Sequence, residues 1–311
     1  MHTFFSLEYL MISSIFLLQK HKRLLSCNSR RIKMKRVVTI QDVSCIGKCS
    51  ATVALPIISV MGSECAVVPT AVLSTHTMFQ GFTFRDLTCD ISGIVEHWKK
   101  ENFKFDSIYT GYLGSFEQLQ LVSDFIDTFK TDSTSVIIDP VMADNGKLYP
   151  GFTPEFAVAM GKLCGKADVI VPNLTEAAFM LEEPYRGSGY DEAWVKGLLK
   201  RLAGLGAKNV VLTGISFEPG QLGLMGYNSE KDEYFSYFHR RLDASFHGTG
   251  DIFASTMTGA YVQGRSLQDS LKIAADYTVE CMDITLKDPD HVNYAVEFEK
   301  AIPYLVKRMQ A

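Results

Sequence analysis

Residues 247–255 read His-Gly-Thr-Gly-Asp-Ile-Phe-Ala-Ser and carry the clearest chemical signal in this chain. A Gly-Thr-Gly turn leads directly into an apolar, helix-compatible stretch, with Asp251 at the junction. The first amides of a helix have no acceptor within it, and glycine lets the backbone approach a bound group closely, so this turn suits an anion such as phosphate. A carboxylate there would repel a static phosphate, but it could take the proton from a hydroxyl that attacks the phosphate. A tight turn capped by Asp251 is the alternative interpretation.

Further polar residues follow the predicted strands. Asp139 follows one strand and has Asp144 downstream, Asn173 and Glu176 follow the next strand, and Thr213 ends a third. The carboxyl ends of parallel strands form the ligand-binding edge of open α/β sheets, and carboxylate and amide oxygens suit Mg²⁺, directly or through water. Taken singly, Glu176 could be an ordinary helix N-terminal acid and Asp144 an ordinary turn residue. Together with the Gly-Thr-Gly-Asp turn they predict a nucleotide-phosphate site, and the absence of a Walker-type Gly-x-x-x-x-Gly-Lys motif excludes a P-loop enzyme.

The elements that must position these residues alternate along the chain. Short β-branched runs are separated by helical patterns, which predicts a parallel sheet covered on both faces. The predicted strands are residues 37–40, 65–68, 107–109, 136–138, 169–171 and 209–212, and the helices between them are 49–61, 91–100, 116–129 and 195–205. Residues 222–227 and 234–238 flank a polar turn and predict an antiparallel hairpin, followed by helices at 250–262, 267–286 and 295–308. Without a repeat or low-complexity linker, we expect one domain over residues 34–311.

The composition fits a globular protein with reduced cysteines. With 311 residues and 47% hydrophobic content the chain can bury a sizeable core, and its net charge of −4 gives no reason to expect a nucleic-acid partner. The seven cysteines are irregularly spaced, which argues against both a disulfide framework and a zinc site. Reduced thiols suit the cytoplasm, where we expect the protein to be located.

The first 33 residues differ from the rest. They contain six Lys or Arg and one Glu, so residues 34–311 have a net charge of −9, since the leader alone has +5. An apolar run at residues 7–18 is too short to span a bilayer, and its positive charges follow it, which is the wrong order for a signal peptide. We therefore expect residues 1–33 to lie outside the fold, with Met34 as the natural start. A mitochondrial-type leader is the alternative.

Several segments together resemble one known superfamily. Asp139-Pro-Val-Met, Pro172-Asn-Leu-Thr-Glu, Val210-Val-Leu-Thr and Gly248-Thr-Gly-Asp are similar to the ribokinase-like kinases. The segments at residues 39–42 (Thr-Ile-Gln-Asp), 73–77 (Leu-Ser-Thr-His-Thr) and 109–114 (Tyr-Thr-Gly-Tyr-Leu-Gly) most resemble the pyridoxal (vitamin B6) kinases, over about residues 35–308. This resemblance implies a three-layer α/β/α fold with a mostly parallel central sheet and an antiparallel hairpin near the nucleotide site.

The resemblance also implies an activity and roles for individual residues. The activity is ATP-dependent phosphorylation of the 5′-hydroxymethyl group of pyridoxal, pyridoxine or pyridoxamine, in a homodimer without a membrane partner; a monovalent-cation requirement is left open. Asp251 would be the base, and the amides of Gly248, Thr249 and Gly250 the anion hole. By the same resemblance Mg²⁺ and its waters would be organised by Asp139, Asp144 and Glu176; the nucleotide would contact Asn173, Glu176, Thr213 and Phe246; and the vitamer would contact Asp42, Thr77 and Tyr112.

Asp42 keeps a second activity open. Many pyridoxal kinases have serine at this point, whereas the related hydroxymethylpyrimidine kinases carry an acid near it. Those enzymes usually have a Gly-Ser-Asp segment and Gly-Thr-Gly-Cys, and this chain has neither. Hydroxymethylpyrimidine kinase, or another small-molecule kinase such as a sugar kinase, therefore remains the alternative, and a non-catalytic B6-binding protein is the third hypothesis. Asp42 itself would accept a charge-assisted hydrogen bond from the substrate ring, or it merely caps the turn between strand and helix.

Overall fold

A nine-stranded, mostly parallel sheet organises the residues that the computed structural model describes, 34–292 and 294–310. The sheet order is β11-β10-β9-β8-β5-β4-β1-β2-β3, and a separate two-stranded ribbon pairs β6 with β7. The strands are β1 (Lys35–Ser44), β2 (Ser63–Leu73), β3 (Phe84–Asp86), β4 (Ser107–Thr110), β5 (Ser135–Ile138), β6 (Ala143–Asp144), β7 (Lys147–Leu148), β8 (Val169–Ile170), β9 (Asn209–Ile215), β10 (Gln221–Asn228) and β11 (Glu233–Arg240). The six strands from β9 across to β2 run parallel, while β3, β10 and β11 join antiparallel.

Helices cover both faces of this sheet. They are α1 (Ala51–Val60), α2 (Thr88–Lys100), α3 (Phe116–Phe129), α4 (Pro154–Cys164), α5 (Leu174–Met180), α6 (Glu192–Ala203), α7 (Thr249–Val262), α8 (Leu267–Lys287) and α9 (Phe298–Gln310). Val38 and Ile40 of β1 join the apolar cluster under α2 to α6, whereas Val37 joins the opposite cluster under α1, α7 and α8. Both faces of the strand are therefore buried, which is why β-branched residues follow one another without polar alternation. The predicted three-layer α/β/α fold is confirmed.

The face that carries α7 has a second apolar layer. Ile252 on α7 packs with Val53 and Ile57 of α1, Tyr277 of α8 and Phe298 of α9. The start of α7 thus packs against the sheet on one side and against α1, α8 and α9 on another, so the Gly-Thr-Gly-Asp turn is fixed by packing on both sides.

The structure extends several predicted elements and adds others. The sequence predicted that Thr213 ends β9, but the strand continues to Ile215 because it pairs antiparallel with β10. Helices α4 and α5, strand β3 and the β6–β7 ribbon were not predicted. The leader, residues 1–33, lies outside the described residues, so its exclusion from the fold stays a prediction. No helix in the described part of the chain has the length and apolar character needed to cross a bilayer.

Candidate active site

The Gly-Thr-Gly turn adopts a geometry that only glycine tolerates at its first position. Gly248 is the N-cap of α7 and has φ 81°, in the left-handed region. A Cβ atom at this position would lie 2.2 Å from the carbonyl oxygen of Lys48, in the segment between β1 and α1. Glycine is therefore required here both by the backbone conformation and by the close approach of a second chain segment.

The turn presents free backbone donors. The amide of Ile252 makes the first helical hydrogen bond of α7, to the carbonyl oxygen of Gly248 (2.9 Å). The amides of Thr249, Gly250 and Asp251 precede it and have no acceptor within the helix. The positive end of the helix dipole adds to these donors, so the turn can hold an anionic group.

Asp251 lies in the first turn of α7, beside these donors. Burial raises the pKa of its carboxyl group to about 7, and the negative charge of Asp42 adds to this effect, while the backbone amide of Ser50 donates to the carboxylate and opposes it. A carboxylate with a pKa near neutrality is suited to accept a proton from an alcohol and release it again. The interpretation of Asp251 as a general base thus has a physical basis in its surroundings.

Three further carboxylates collect at the ends of the parallel strands. Asp139 follows β5 and is buried, and its pKa is raised by burial and by the charges of Glu176 and Asp251. Burial also raises the pKa of Glu176 to about 8, with a contribution from the charge of Asp144 on β6. No ion pair among the described residues includes any of these four carboxylates. The cluster is therefore acidic and lacks a basic side chain that neutralises it.

Glu176 also has a structural role. Asn173 and Glu176 form a capping box at the start of α5, in which Glu176 Oε2 accepts from the amide of Asn173 (2.8 Å) and Asn173 Oδ1 accepts from the amides of Thr175 and Glu176. Glu176 Oε1 accepts from the amide of Met142 (3.2 Å), and Asn173 Nδ2 donates to the carbonyl of Ala143 (2.8 Å). The two side chains thus fix the loop after Asp139 against α5, as the helix-terminal interpretation of Glu176 required.

The donor set fits a hydrated divalent cation better than a directly ligated one. Within the described residues, no three acidic, histidine or cysteine side chains converge closely enough to hold a metal ion. Asp139, Asp144 and Glu176 nevertheless raise the pKa of the Tyr149 phenol together, after burial, so their charges act on one shared region. Mg²⁺ commonly keeps several of its waters and shares its remaining positions with phosphate oxygens, and this cluster suits that mode of binding.

The predicted vitamer residues lie on the side of β1 and β4. Asp42 is in β1, 4% exposed, and accepts a hydrogen bond from Ser44 Oγ (2.9 Å). It does not cap α1, whose N-cap is Ser50 without a side-chain hydrogen bond. The Asp42 charge raises the pKa of both Asp251 and Tyr112, so these three residues share one electrostatic environment. Thr77 is exposed in a turn after β2.

A histidine that the sequence analysis did not assign a role joins Thr77 to the turn at α7. His76 Nδ1 accepts from the amide of Met78 (3.2 Å), so Nε2 carries the proton and donates to the carbonyl of Tyr294 (3.0 Å). Its ring stacks on that of His247, with the centroids 4.9 Å apart. The predicted vitamer segment and the predicted anion hole are therefore braced against each other.

The remaining residues predicted to contact the nucleotide differ in their exposure to solvent. Thr213 is partly exposed, and its amide donates to the carbonyl of Pro172 (3.0 Å), which places it beside Asn173. The ring of Phe246 is 9% exposed and packs in the apolar layer between α1, α7 and α8, so it has little surface for a nucleotide. Tyr149, 39% exposed beside the carboxylate cluster, was missed because no sequence motif distinguishes it.

Comparison with known proteins places the chain among small-molecule kinases. The model of the phosphomethylpyrimidine kinase family matches residues 62–295. A phosphomethylpyrimidine kinase homologue from Bacteroides thetaiotaomicron, solved with pyridoxal, is 39% identical and superposes with a TM-score of 0.83 over 88% of this chain and 96% of that one. A pyridoxal kinase homologue from Schizosaccharomyces pombe is 29% identical over 75% of this chain and 70% of its own length. The hydroxymethylpyrimidine/phosphomethylpyrimidine kinase of Haemophilus influenzae is 31% identical over 57% of this chain and 65% of its own length.

Proposed function

We propose that this chain, which belongs to the phosphomethylpyrimidine kinase family within the ribokinase-like superfamily, phosphorylates the 5′-hydroxymethyl group of a B6 vitamer with ATP. The hydroxyl oxygen of pyridoxal, pyridoxine or pyridoxamine attacks the γ-phosphorus of ATP and forms the new P–O bond. The bond to the β-phosphate oxygen breaks and ADP leaves, while the hydroxyl proton passes to Asp251.

The observation that carries phosphoryl transfer is the position of Asp251 at the start of α7. Its carboxyl group, with a pKa raised to about 7, adjoins amides that have no acceptor within the helix. The base and the anion hole are thus supplied by one helical turn, so the attacking hydroxyl and the phosphoryl group are brought to the same place. Phosphoryl transfer is catalysed mainly by positioning and electrostatic stabilisation, and this turn can provide both.

The choice of a B6 vitamer rests on a different observation. The Bacteroides relative, 39% identical over most of both chains, was solved with pyridoxal. In this chain the buried carboxylate of Asp42 lies in the environment of Tyr112 and Asp251. A carboxylate in that place would accept a charge-assisted hydrogen bond from a protonated pyridine nitrogen or a ring hydroxyl, which suits the pyridine ring of a vitamer.

The acidic cluster suits a divalent cation that binds together with the nucleotide. Asp139, Asp144 and Glu176 would hold Mg²⁺ through its waters, and Thr213 and the backbone around Asn173 would border the ATP phosphates. The cation, when bound, neutralises charge that develops on the phosphates. The side chain of Glu176 acts mainly through the loop that it orients, and Asn173 anchors α5 beside it.

Hydroxymethylpyrimidine kinase remains a second candidate because the matching family is described by that type of substrate. ATP consumption should be measured in parallel with pyridoxal, pyridoxine, pyridoxamine, hydroxymethylpyrimidine and ribose. Our proposal requires the highest kcat/KM with one of the three vitamers. A preference for hydroxymethylpyrimidine would mean that the same reaction takes place on the hydroxymethyl group of the pyrimidine. A preference for ribose would refute both assignments. Assembly as a homodimer and a cytoplasmic location stay predictions; sedimentation of the purified protein tests the first.

A further inference from the structure

Several buried hydroxyl groups of β4 and α7 have no hydrogen-bond partner among the described residues, namely those of Tyr109, Thr110, Ser255, Thr256 and Thr258. Tyr109 on β4 and Ser255 on α7, both with 0% exposure, are the two of these that interact with each other. The hydroxyls are neighbours: hydrogen bonding from the Ser255 hydroxyl lowers the pKa of Tyr109, although the two groups fall short of normal hydrogen-bond geometry. Buried polar groups are rarely left without partners, because each costs free energy in an apolar surrounding. The pair therefore needs an explanation.

The geometry places this pair below the proposed base. Tyr109 lies between Thr39 of β1 and Ile137 of β5, and its ring is in the apolar cluster that includes Ala254 of α7. Ser255 follows Asp251 by four residues, which puts both on one side of the helix, one turn apart. The two hydroxyls thus lie between the sheet and the turn of α7 that carries Asp251.

The charges that act on the Tyr109 hydroxyl come from acidic groups on three elements. Burial, Asp139 after β5, Asp251 on α7 and Cys65 on β2 all raise the pKa of Tyr109. Asp251 in turn faces Asp42 of β1. The charged groups that act most strongly on the phenol are all acidic, with Asp139 ahead of Asp251. The phenol therefore stays protonated, and its favourable interaction with a nearby carboxylate is to donate a hydrogen bond.

We propose that Ser255 and Tyr109 form a buried hydrogen-bond relay that supports the carboxylate of Asp251. The Ser255 hydroxyl donates to the Tyr109 oxygen, and the Tyr109 hydroxyl donates toward Asp251, where an internal water with these partners can complete the connection. Both are positioning residues, because they act through Asp251 and not on the substrate. This inference rests on the proposed role of Asp251 as the base.

A double-mutant cycle on thermal unfolding tests the relay without any substrate. Tyr109→Phe is measured in the wild-type protein and in an Asp251→Ala background at pH 8, where Asp251, with a pKa of about 7, is ionised. The relay requires Tyr109→Phe to lower Tm in the wild-type background and to leave it unchanged, or raise it, in the Asp251→Ala background. Equal Tm changes in both backgrounds would overturn the proposal.

Tyr277→Phe is the matched control. Tyr277 is also fully buried, but its hydroxyl already donates to the carbonyl of Phe298 (2.9 Å). Removing that hydroxyl should lower Tm by the same amount in both backgrounds, because the bond does not involve Asp251. The control thus separates loss of any buried tyrosine hydroxyl from loss of the relay.

Kinetics supply the second readout. In Tyr109→Phe and in Ser255→Ala, kcat should fall about tenfold, as expected for one lost hydrogen bond to a charged group, while the KM for ATP and for the organic substrate stay unchanged. An unchanged kcat in both variants would exclude a positioning role. If the wild-type protein phosphorylates no vitamer, the proposed function fails, but the Tm cycle still decides the relay.

Discussion

Asp251→Asn should abolish most of the turnover and at the same time stabilise the protein. Asparagine keeps the shape of the side chain but cannot accept the hydroxyl proton. Loss of a general base lowers the rate by roughly 10²–10⁴-fold, so kcat should fall within this range while ATP still binds. The effect on stability has the opposite sign, because the wild-type carboxylate is ionised at a site that disfavours the charge.

The size of this stabilisation follows from the pKa of Asp251. The group titrates at 3.8 when unperturbed and at about 7 in the folded protein, a difference that corresponds to about 4 kcal/mol at most, at 1.36 kcal/mol per pH unit. Asp251 is only partly buried and solvent screens its charge, so we expect a gain of about 1–2 kcal/mol. For a domain of this size that is a rise in Tm of roughly 2–6 °C.

The gain in stability should depend on pH. The folded state of the wild type binds the Asp251 proton more tightly than the unfolded state, so its stability falls as the pH rises from about 4 to about 7. The Tm difference between Asp251→Asn and wild type should therefore be small at pH 4 and complete above pH 7. Calorimetry at several pH values measures it.

Asp269→Asn is the control for this prediction. Asp269 occupies the first turn of the neighbouring helix α8, where it accepts from Ser266 Oγ (2.7 Å). The same change there should leave turnover normal and should not raise Tm, because an exposed acid near a helix N-terminus is favourable. Near-normal turnover of Asp251→Asn would remove Asp251 from the mechanism. If turnover is lost as predicted but the Tm difference between Asp251→Asn and wild type does not change with pH, only the electrostatic argument is refuted.

Three further predictions concern the ligand pocket, the turn and the leader. Asp42→Asn should raise the KM for the vitamer, leave the KM for ATP nearly unchanged and raise Tm slightly, because burial raises the pKa of Asp42. An unaltered vitamer KM would remove Asp42 from the pocket. Gly248→Ala should cost about 1–2 kcal/mol for its φ of 81° alone and should lose turnover through the contact with the Lys48 carbonyl, whereas Gly220→Ala, with the same φ and open space around it, should affect Tm only. A chain that begins at Met34 should match the full chain in Tm and kinase activity, and a large loss of either would show that residues 1–33 contribute to the fold.

The elements that were predicted well are those whose signal is local. Helix α3 begins at Phe116 and ends at Phe129, as predicted, because Ser115 caps it and its apolar residues recur with helical period. The turn before α7 was also recognised, because Gly-Thr-Gly (Gly248 to Gly250) directly before an apolar helix is a specific pattern.

The elements that were missed depend on contacts far along the chain or on an ambiguous residue. Helix α4 was not predicted, although Pro154 occupies its first turn, where proline is tolerated, and Thr153 caps it. Strand β3 has only three residues, all exposed, and exists because it pairs with residues 71–73 of β2. The continuation of β9 to Ile215 likewise depends on pairing with β10, which the sequence of β9 alone does not reveal.

The candidate site shows the same division. The sequence selected Asp139, Glu176 and Asp251 through motifs, and the structure places their charges within mutual influence. It could not indicate Tyr149, because a tyrosine on a loop has no motif of its own, and it gave Tyr109 no role although Tyr109 begins the Tyr-Thr-Gly-Tyr segment. These two residues were found only through the burial and the charges around their hydroxyl groups.

The acidic character of the site links its chemistry to its stability. Asp42, Asp139, Glu176 and Asp251 all have pKa values raised above their ordinary values, with burial as the largest cause. The folded state therefore favours the protonated forms of these four groups. At neutral pH, without a bound cation, each of them lowers the free energy of unfolding. A divalent cation that enters with the nucleotide would reverse this, because it favours the ionised forms of Asp139 and Glu176. The arrangement that weakens the unliganded fold is thus the one that would bind a metal–nucleotide complex, and we expect the Tm gained with Mg²⁺ and ATP together to exceed the sum of the gains with each alone.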